Sequence, residues 1–357
     1  MNWTRPASTS PPGLAQGGQV TWVRHGIRLA GPAAVVVLAL LAPLVSPSEY
    51  WTGVLARICL YATLALGLNV VVGFAGLLDL GYVAFFGIGS YLYAFLASPQ
   101  FGIHLPFLVA LPIVVAATAV SGILIGAPTL RLRGDYLAIV TLGFGEITYL
   151  LLINGDRPVN ITNGVNGILS IDPPALGRFV VTGNRQYYYL FLGFLCLVLI
   201  ASARLRQSRI GWAWQAIRED ELAARTMGIN TTVAKLQAFA LGAAFAGIGG
   251  SLLASWQRSV FPENFLFTES INVLAMVILG GMGSLAGVVL GAAILVALPE
   301  IFRDFQSYRM LVFGLLLMVL MVVRPQGLLV ARPRSGTRPL PEAPAEPTGS
   351  PPRPAAS

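Results

Sequence analysis

Long apolar runs alternate with short polar breaks along this chain, and the pattern predicts helices that cross a membrane. Seven runs stand out: residues 29–45, 54–72, 77–97, 106–127, 136–153, 187–203 and 236–255. Each approaches or reaches the roughly 20 residues that a helix needs to span the hydrocarbon core. The apolar positions leave no polar face of the kind a surface helix of a soluble domain would show.

The last third departs from this pattern. The stretch 269–298 breaks at Gly280-Gly281-Met282-Gly283, and its first apolar half, 270–279, is too short to cross. Ten helical residues reach only ~15 Å. A re-entrant hairpin is predicted here, followed by a final span over 310–323. Such non-helical backbone is tolerated at membrane depth only where protein buries it or where it lines a cavity. The count is then eight full crossings plus one broken pair. Ten crossings would satisfy the same parity.

Charge orients this arrangement. Arg24 and Arg28 precede the first run, Arg131 and Arg133 follow the fourth, and Arg324, Arg332, Arg334 and Arg338 follow the last. Basic flanks mark the cytoplasmic side, so both termini are expected there. The chain divides into an N-terminal tail 1–28, a membrane domain 29–330 and a C-terminal tail 331–357. The second tail has eight prolines in 27 residues and cannot form a packed core. Within the membrane domain, 154–186 is an external loop with room for a small cap and a hairpin.

The block 204–235 is the most basic loop, with six basic residues against three acids. Ile210, Trp214 and Ile217 recur at helical spacing, and Glu221 and Arg225 form an i,i+4 pair. A short amphipathic helix over 209–228 is predicted, with Gly228 as its stop and Asn230 or Thr231 capping the next helix. A cytoplasmic amphipathic helix that turns a glycine corner back into the membrane is a docking element for a cytoplasmic partner.

Composition agrees and removes other classes. Only 11% of residues are charged, 55% are hydrophobic and the mean hydropathy is +0.73. A soluble domain carries about 25% charged residues. The fold class is therefore all-α polytopic membrane protein. The net charge of +8 lies mostly in the tails and the 204–235 block, where topology explains it. No basic groove with interleaved aromatics points to nucleic acid. Cys59 and Cys196 lie inside apolar runs and read as small buried side chains rather than a disulfide. His25 and His104 are too few for a metal site, and no cofactor is called for.

Candidate chemistry is sparse. Asp79, Asp135, Glu146 and Glu269 lie in or beside apolar runs, and Glu146 sits near the middle of its span. A charge at that depth costs at least ~2.5 kcal/mol, so it should face the bundle interior or water. It is either a coupling-ion or proton site on a translocation path, or a structural acceptor for hydroxyls and freed backbone. Small residues at helical spacing, Gly242, Ala246 and Gly250, then Gly283, Gly287 and Gly291, are candidates for close helix packing. No set of catalytic side chains is present. The chain has one lysine, Lys235, preceded by Ala234 and followed by Leu236. That excludes a phosphate-binding loop of the Gly-rich Lys-Ser/Thr type. If transport uses ATP, another polypeptide must hydrolyse it.

Several strings together carry a resemblance: LRLRGDYLAIVTLGFGE at 130–146, TNGVNGI at 162–168, AIREDELAARTMG at 216–228, residues 235–250, LGGMGSLAG at 279–287 and RPQGL at 324–328. The chain resembles the permease subunits of branched-chain amino-acid ABC transporters, LivM-type. In importers of that class a cytoplasmic Glu-Ala-Ala, three residues, then Gly docks into the ATPase. Ala223, Ala224 and Gly228 match that spacing. Leu222 takes the Glu position, with Glu221 one residue earlier, and the downstream Ile-x-Leu-Pro is missing. The resemblance implies a permease in the bacterial cytoplasmic membrane without an ATPase site of its own. It also implies a second permease of similar fold, two ATP-binding cassette subunits and an extracytoplasmic binding protein. Branched-chain amino acids are the implied cargo, while relatives carry urea, amides or aromatic acids. An ion-coupled secondary transporter using Glu146 is the alternative class.

Overall fold

The structure is a computed structural model that describes residues 39–43, 48–129, 134–157, 160–176, 179–302, 314–315, 318 and 327–329. Both tails and most of the predicted spans 29–45 and 310–323 lie outside the described residues. So do Arg131 and Arg133.

Helix α1 (Glu49–Leu68) runs on into a π-helical turn, Asn69–Phe74. Helices α2 (Tyr82–Leu96), α3 (Phe107–Thr129) and α4 (Asp135–Ile153) follow. After the loop 154–183 come α5 (Asn184–Gln207), two short helices α6 (Arg209–Glu219) and α7 (Glu221–Thr226), and α8 (Thr231–Gln257). The pair α9 (Phe267–Gly280) and α10 (Leu285–Ile301) closes the described fold. Among the described residues five helices are long and apolar enough to cross a membrane: α1 with its π turn, α3, α4, α5 and α8. The chain is an all-α polytopic membrane protein.

The predicted span 77–97 is shorter than expected. The chain leaves helix at Ala75 and re-enters it only at Tyr82. Asp79 explains part of the interruption: it is 1% exposed, and its Oδ1 accepts from the Gly81 amide at 2.9 Å. A carboxylate that takes up a backbone amide two residues on competes with helical pairing.

Helices α1 and α8 form the buried centre, and α3, α4 and α5 surround them with more open faces. Small residues permit this. A methyl on Gly250 would sit 2.6 Å from the Phe86 carbonyl oxygen and the Ser90 amide, and one on Gly242 would sit 2.6 Å from Val71. Ala246 is fully buried. In lipid such close approach stabilises association, because apolar burial alone gives no preference.

The broken pair folds back on itself. Added methyls at Gly287 and Gly291 would run into the carbonyls of Gly280 and Met276, so the two backbones touch. Gly283 is not part of a helical stripe. It lies in the turn with φ +84°, and its amide donates to Asn69 Oδ1 at 2.8 Å. At the other end Tyr61 donates to Glu269 at 3.3 Å, while Glu300 accepts from Tyr50 and from Arg57. Both open ends of the hairpin thus lie along the first part of α1, and the tip reaches its far end. The two helices, 14 and 17 residues long, thus form a hairpin broken at the Gly280–Gly283 turn.

At the other end of α5 from the 204–235 block, the loop before α5 carries a β2–β3 hairpin (Ala175–Leu176 with Phe179–Val180). Strand β1 (Ile168–Leu169) pairs antiparallel with β4 (Ser259–Val260) after α8. His104 Nδ1 lies 2.6 Å from Asp172 Oδ2, which ties the α2–α3 connection to this cap.

Candidate functional site

The 204–235 segment folds by a succession of caps. Ser208 ends α5, and its hydroxyl accepts from the Gly211 amide at 3.2 Å to start α6. The single helix expected over 209–228 is two. Asp220 adopts an extended backbone (φ −155°, ψ 112°), and one carboxylate oxygen accepts from the amides of Leu222 at 2.7 Å and Ala223 at 3.0 Å. An N-cap of this kind begins one helix by ending the previous one. Gly228 closes α7 in the left-handed region, φ +84°, where a residue with a Cβ is strained. Asn230 then caps α8 by accepting from the Val233 amide at 3.1 Å.

The pair is braced against the membrane domain. Trp214 is fully buried, and its indole N–H donates to the Ala234 carbonyl at 2.7 Å. Ile217 is buried beside it and Ile210 half-buried. Glu221 binds Arg225 at 2.7 Å and also Lys235 at 2.8 Å. Partial burial by itself would raise the Glu221 carboxyl. The Lys235 hydrogen bond and charge, with those of Arg225, outweigh it and hold the group below its ordinary value. Arg225 Nε also donates to Thr231 Oγ1 at 2.9 Å, which straps α7 to the first turn of α8.

The pair presents large apolar side chains outward among charged ones such as Arg209, Arg218, Glu219 and Arg225. Leu222 is 69% exposed and Met227 82%, Ala223 is exposed next to Leu222, and Trp212 is exposed on α6. Ala224, which sequence reasoning grouped with Ala223, is 3% exposed. Its methyl faces the membrane domain and seats α7 there. Lys235 is the member that sequence reasoning missed, since its partner is 14 residues away and meets it only after the Gly228 corner.

Glu146 lies elsewhere. Helix α4 turns it outward, exposed, rather than toward the bundle interior. Among the described residues no hydrogen bond or ion pair reaches it, so it is not an acceptor for nearby hydroxyls or freed backbone there. Gly143, one turn earlier, has open space where a side chain would project. Asp135 is exposed at the start of the same helix. Among the described residues no group of three or more His, Cys, Asp or Glu could hold a metal ion. Cys59 and Cys196 are free thiols.

These features are those of a polytopic membrane protein with a braced pair of short helices between two long apolar ones. Residues 50–321 match the family model for the branched-chain amino acid transport system / permease component. The chain belongs to this family of membrane permeases. Over 299 residues it is 46% identical to the high-affinity branched-chain amino acid transport system permease protein LivM of Escherichia coli (strain K12), covering 77% of this chain and 69% of that relative. It is 27% identical over 290 residues to LivH of the same organism, covering 75% of this chain and 91% of that protein. A probable LivM permease of Methanocaldococcus jannaschii is 26% identical, covering 74% and 84%. No solved structure matches the chain. The LivM-type resemblance drawn from the motifs therefore holds, and the permease role with it.

Proposed function

We propose that the chain is the LivM-type membrane subunit of an ABC importer that carries branched-chain amino acids across the cytoplasmic membrane. It works beside a second, LivH-like permease, two ATP-binding cassette subunits and an extracytoplasmic binding protein. Both termini and the 204–235 segment lie in the cytoplasm, and the binding protein docks over 154–186 and the β1–β4 cap. The subunit hydrolyses nothing itself, consistent with its single lysine flanked by Ala234 and Leu236.

One observation carries the docking role: α7 holds Leu222 and Ala223 outward, with Met227 just past its end, on a helix that Glu221, Arg225 and Lys235 fix from behind. Large exposed apolar side chains on a rigidly braced polar segment mark a protein interface. Leu222→Glu combined with Met227→Glu places two charges on that face without touching the membrane domain. The expected result is normal insertion, loss of uptake and loss of the ATP-binding subunits when the complex is purified. Retention of those subunits with normal uptake would remove α7 from the interface.

Glu146 belongs to the same reading. An outward carboxylate in a membrane helix is too costly to leave against lipid. The second permease, or the aqueous path between the two, covers that face of α4.

A further inference from the structure

We propose that Arg218 and Asn69 form a mechanical link that carries movement of the cytoplasmic helix pair to the broken helices inside the membrane. The link rests on the reading that α6 and α7 move with the ATP-binding subunits. It begins at the end of α6, where Arg218 Nη1 donates to the carbonyl of Gly73. The backbone of α6 is close as well: a methyl on Gly76 would lie 2.9 Å from Arg218 Cγ and 3.4 Å from its Cα. Gly73 belongs to the π-helical turn that ends α1, after which the chain is unwound from Ala75 to Gly81. The turn is closed by long-range backbone bonds, Ala75 to Val70 at 3.3 Å and Leu77 to Val71 at 3.1 Å. Turns of this kind recur inside helices at functional positions and leave carbonyls open to other donors.

The same turn holds the tip of the re-entrant pair. Asn69 Oδ1 accepts from the Gly283 amide at 2.8 Å, and a methyl on Gly73 would lie 2.7 Å from that amide nitrogen. Gly73 is therefore clasped between Arg218 on the cytoplasmic side and Gly283 within the membrane. Asn69 is fully buried, and its Nδ2 has no partner among the described residues. The Leu328 and Leu329 amides donate to the Leu279 and Gly280 carbonyls beside the tip at 2.8 and 3.1 Å, while the Asn69 side chain ties the tip to the turn, so displacement of the turn acts on the tip through Asn69. The unwound segment also reaches α4, through the Leu80 amide donating to Thr141 Oγ1 at 3.0 Å. A push on α6 at Arg218 thus meets an element with few helical bonds of its own, which touches both the hairpin tip and the helix that carries Glu146. Coupling between distant sites needs such a contiguous element with more than one arrangement.

The test uses the whole complex in proteoliposomes, with binding protein loaded with leucine, comparing Arg218→Ala, Arg218→Lys, Asn69→Ala and the Arg218→Ala/Asn69→Ala double variant. Retention of the ATP-binding subunits, ATP hydrolysis and leucine uptake are read on each. We expect both alanine variants to keep the ATP-binding subunits and go on hydrolysing ATP while uptake per ATP falls roughly tenfold. Arg218→Lys, which keeps the charge and a donor, recovers most of the loss. The double variant falls no further than the worse single, because the two residues act through one turn. Unchanged uptake per ATP in both singles would overturn the link, as would losses that multiply in the double variant. Release of the ATP-binding subunits by Arg218→Ala would make Arg218 a docking residue and overturn it too. A wild-type complex that takes up leucine without ATP-binding subunits overturns the proposed function and the link with it.

Discussion

Removing the carboxylate of Glu221 leaves the ammonium of Lys235, 5% exposed, without its ion pair. An uncompensated buried donor costs about 1–3 kcal/mol, so Glu221→Gln should loosen α7 by that order. Hydrogen exchange of the 221–226 amides checks this. The pH dependence follows from the same pair. The Glu221 carboxyl lies below its ordinary value of 4.5 in the fold. Its contribution is therefore fully present above that pH and disappears as pH falls through the lowered folded value. Protection of α7 should drop in that acid range in the wild type, and the Gln variant should show no such step. Gly228→Val tests the corner separately. Open space surrounds Gly228, so its only cost is the left-handed backbone, about 1–2 kcal/mol for a residue with a Cβ. Uptake should fall with insertion intact, and unchanged uptake would show that the corner tolerates other backbone angles. Ala224→Leu should instead overpack the seat of α7, while Ala223→Leu should spare the fold and disturb only partner binding. The i,i+4 pair, the Gly228 stop and the Asn230 cap were legible in the sequence, because each depends on neighbours within one turn. The inward methyl of Ala224 and the Glu221–Lys235 pair were not, since both depend on how the corner folds back.

At the scale of elements, the apolar runs located α1, α3, α4, α5 and α8 well, because length and hydropathy decide whether a helix can cross. Two interruptions escaped that reasoning. Asp220 is a strong N-cap only in the backbone conformation it adopts, and in sequence it continues an amphipathic helix. The unwinding at 75–81 extends into the predicted run 77–97, where Asp79 takes the Gly81 amide and Thr141 of α4 takes the Leu80 amide. The orientation of α4 was also hidden, since a run that is apolar almost throughout gives no face to Glu146. The structure turns it outward, which yields a prediction. Ile147, next to Glu146 and 57% exposed, is expected to cross-link as Ile147→Cys to the second permease in membranes. A cysteine at Leu124, 68% exposed on α3, serves as the comparison site. Equal cross-linking at both positions, or none at Ile147→Cys, would place α4 against lipid.

For the molecule as a whole, the fold separates three tasks. The β1–β4 cap lies at one end, the α1–α8 core holds the broken helices, and α6–α7 at the other end expose Leu222 and Met227, which in the proposed function lie against the ATP-binding subunits. In the proposed function the energy comes from the ATP-binding subunits. The purified subunit, free of other proteins, should hydrolyse no ATP, and hydrolysis by it alone would contradict the assignment. Glu146→Gln should keep much of the uptake, because no basic group among the described residues stands ready to exchange a proton with it. The most direct measurement is leucine uptake by proteoliposomes that contain the whole complex and its binding protein, with ATP inside and the proton gradient set independently. Uptake should require ATP and persist when an uncoupler collapses the gradient. Uptake that proceeds without ATP and stops with the uncoupler would contradict the account and identify an ion-coupled carrier.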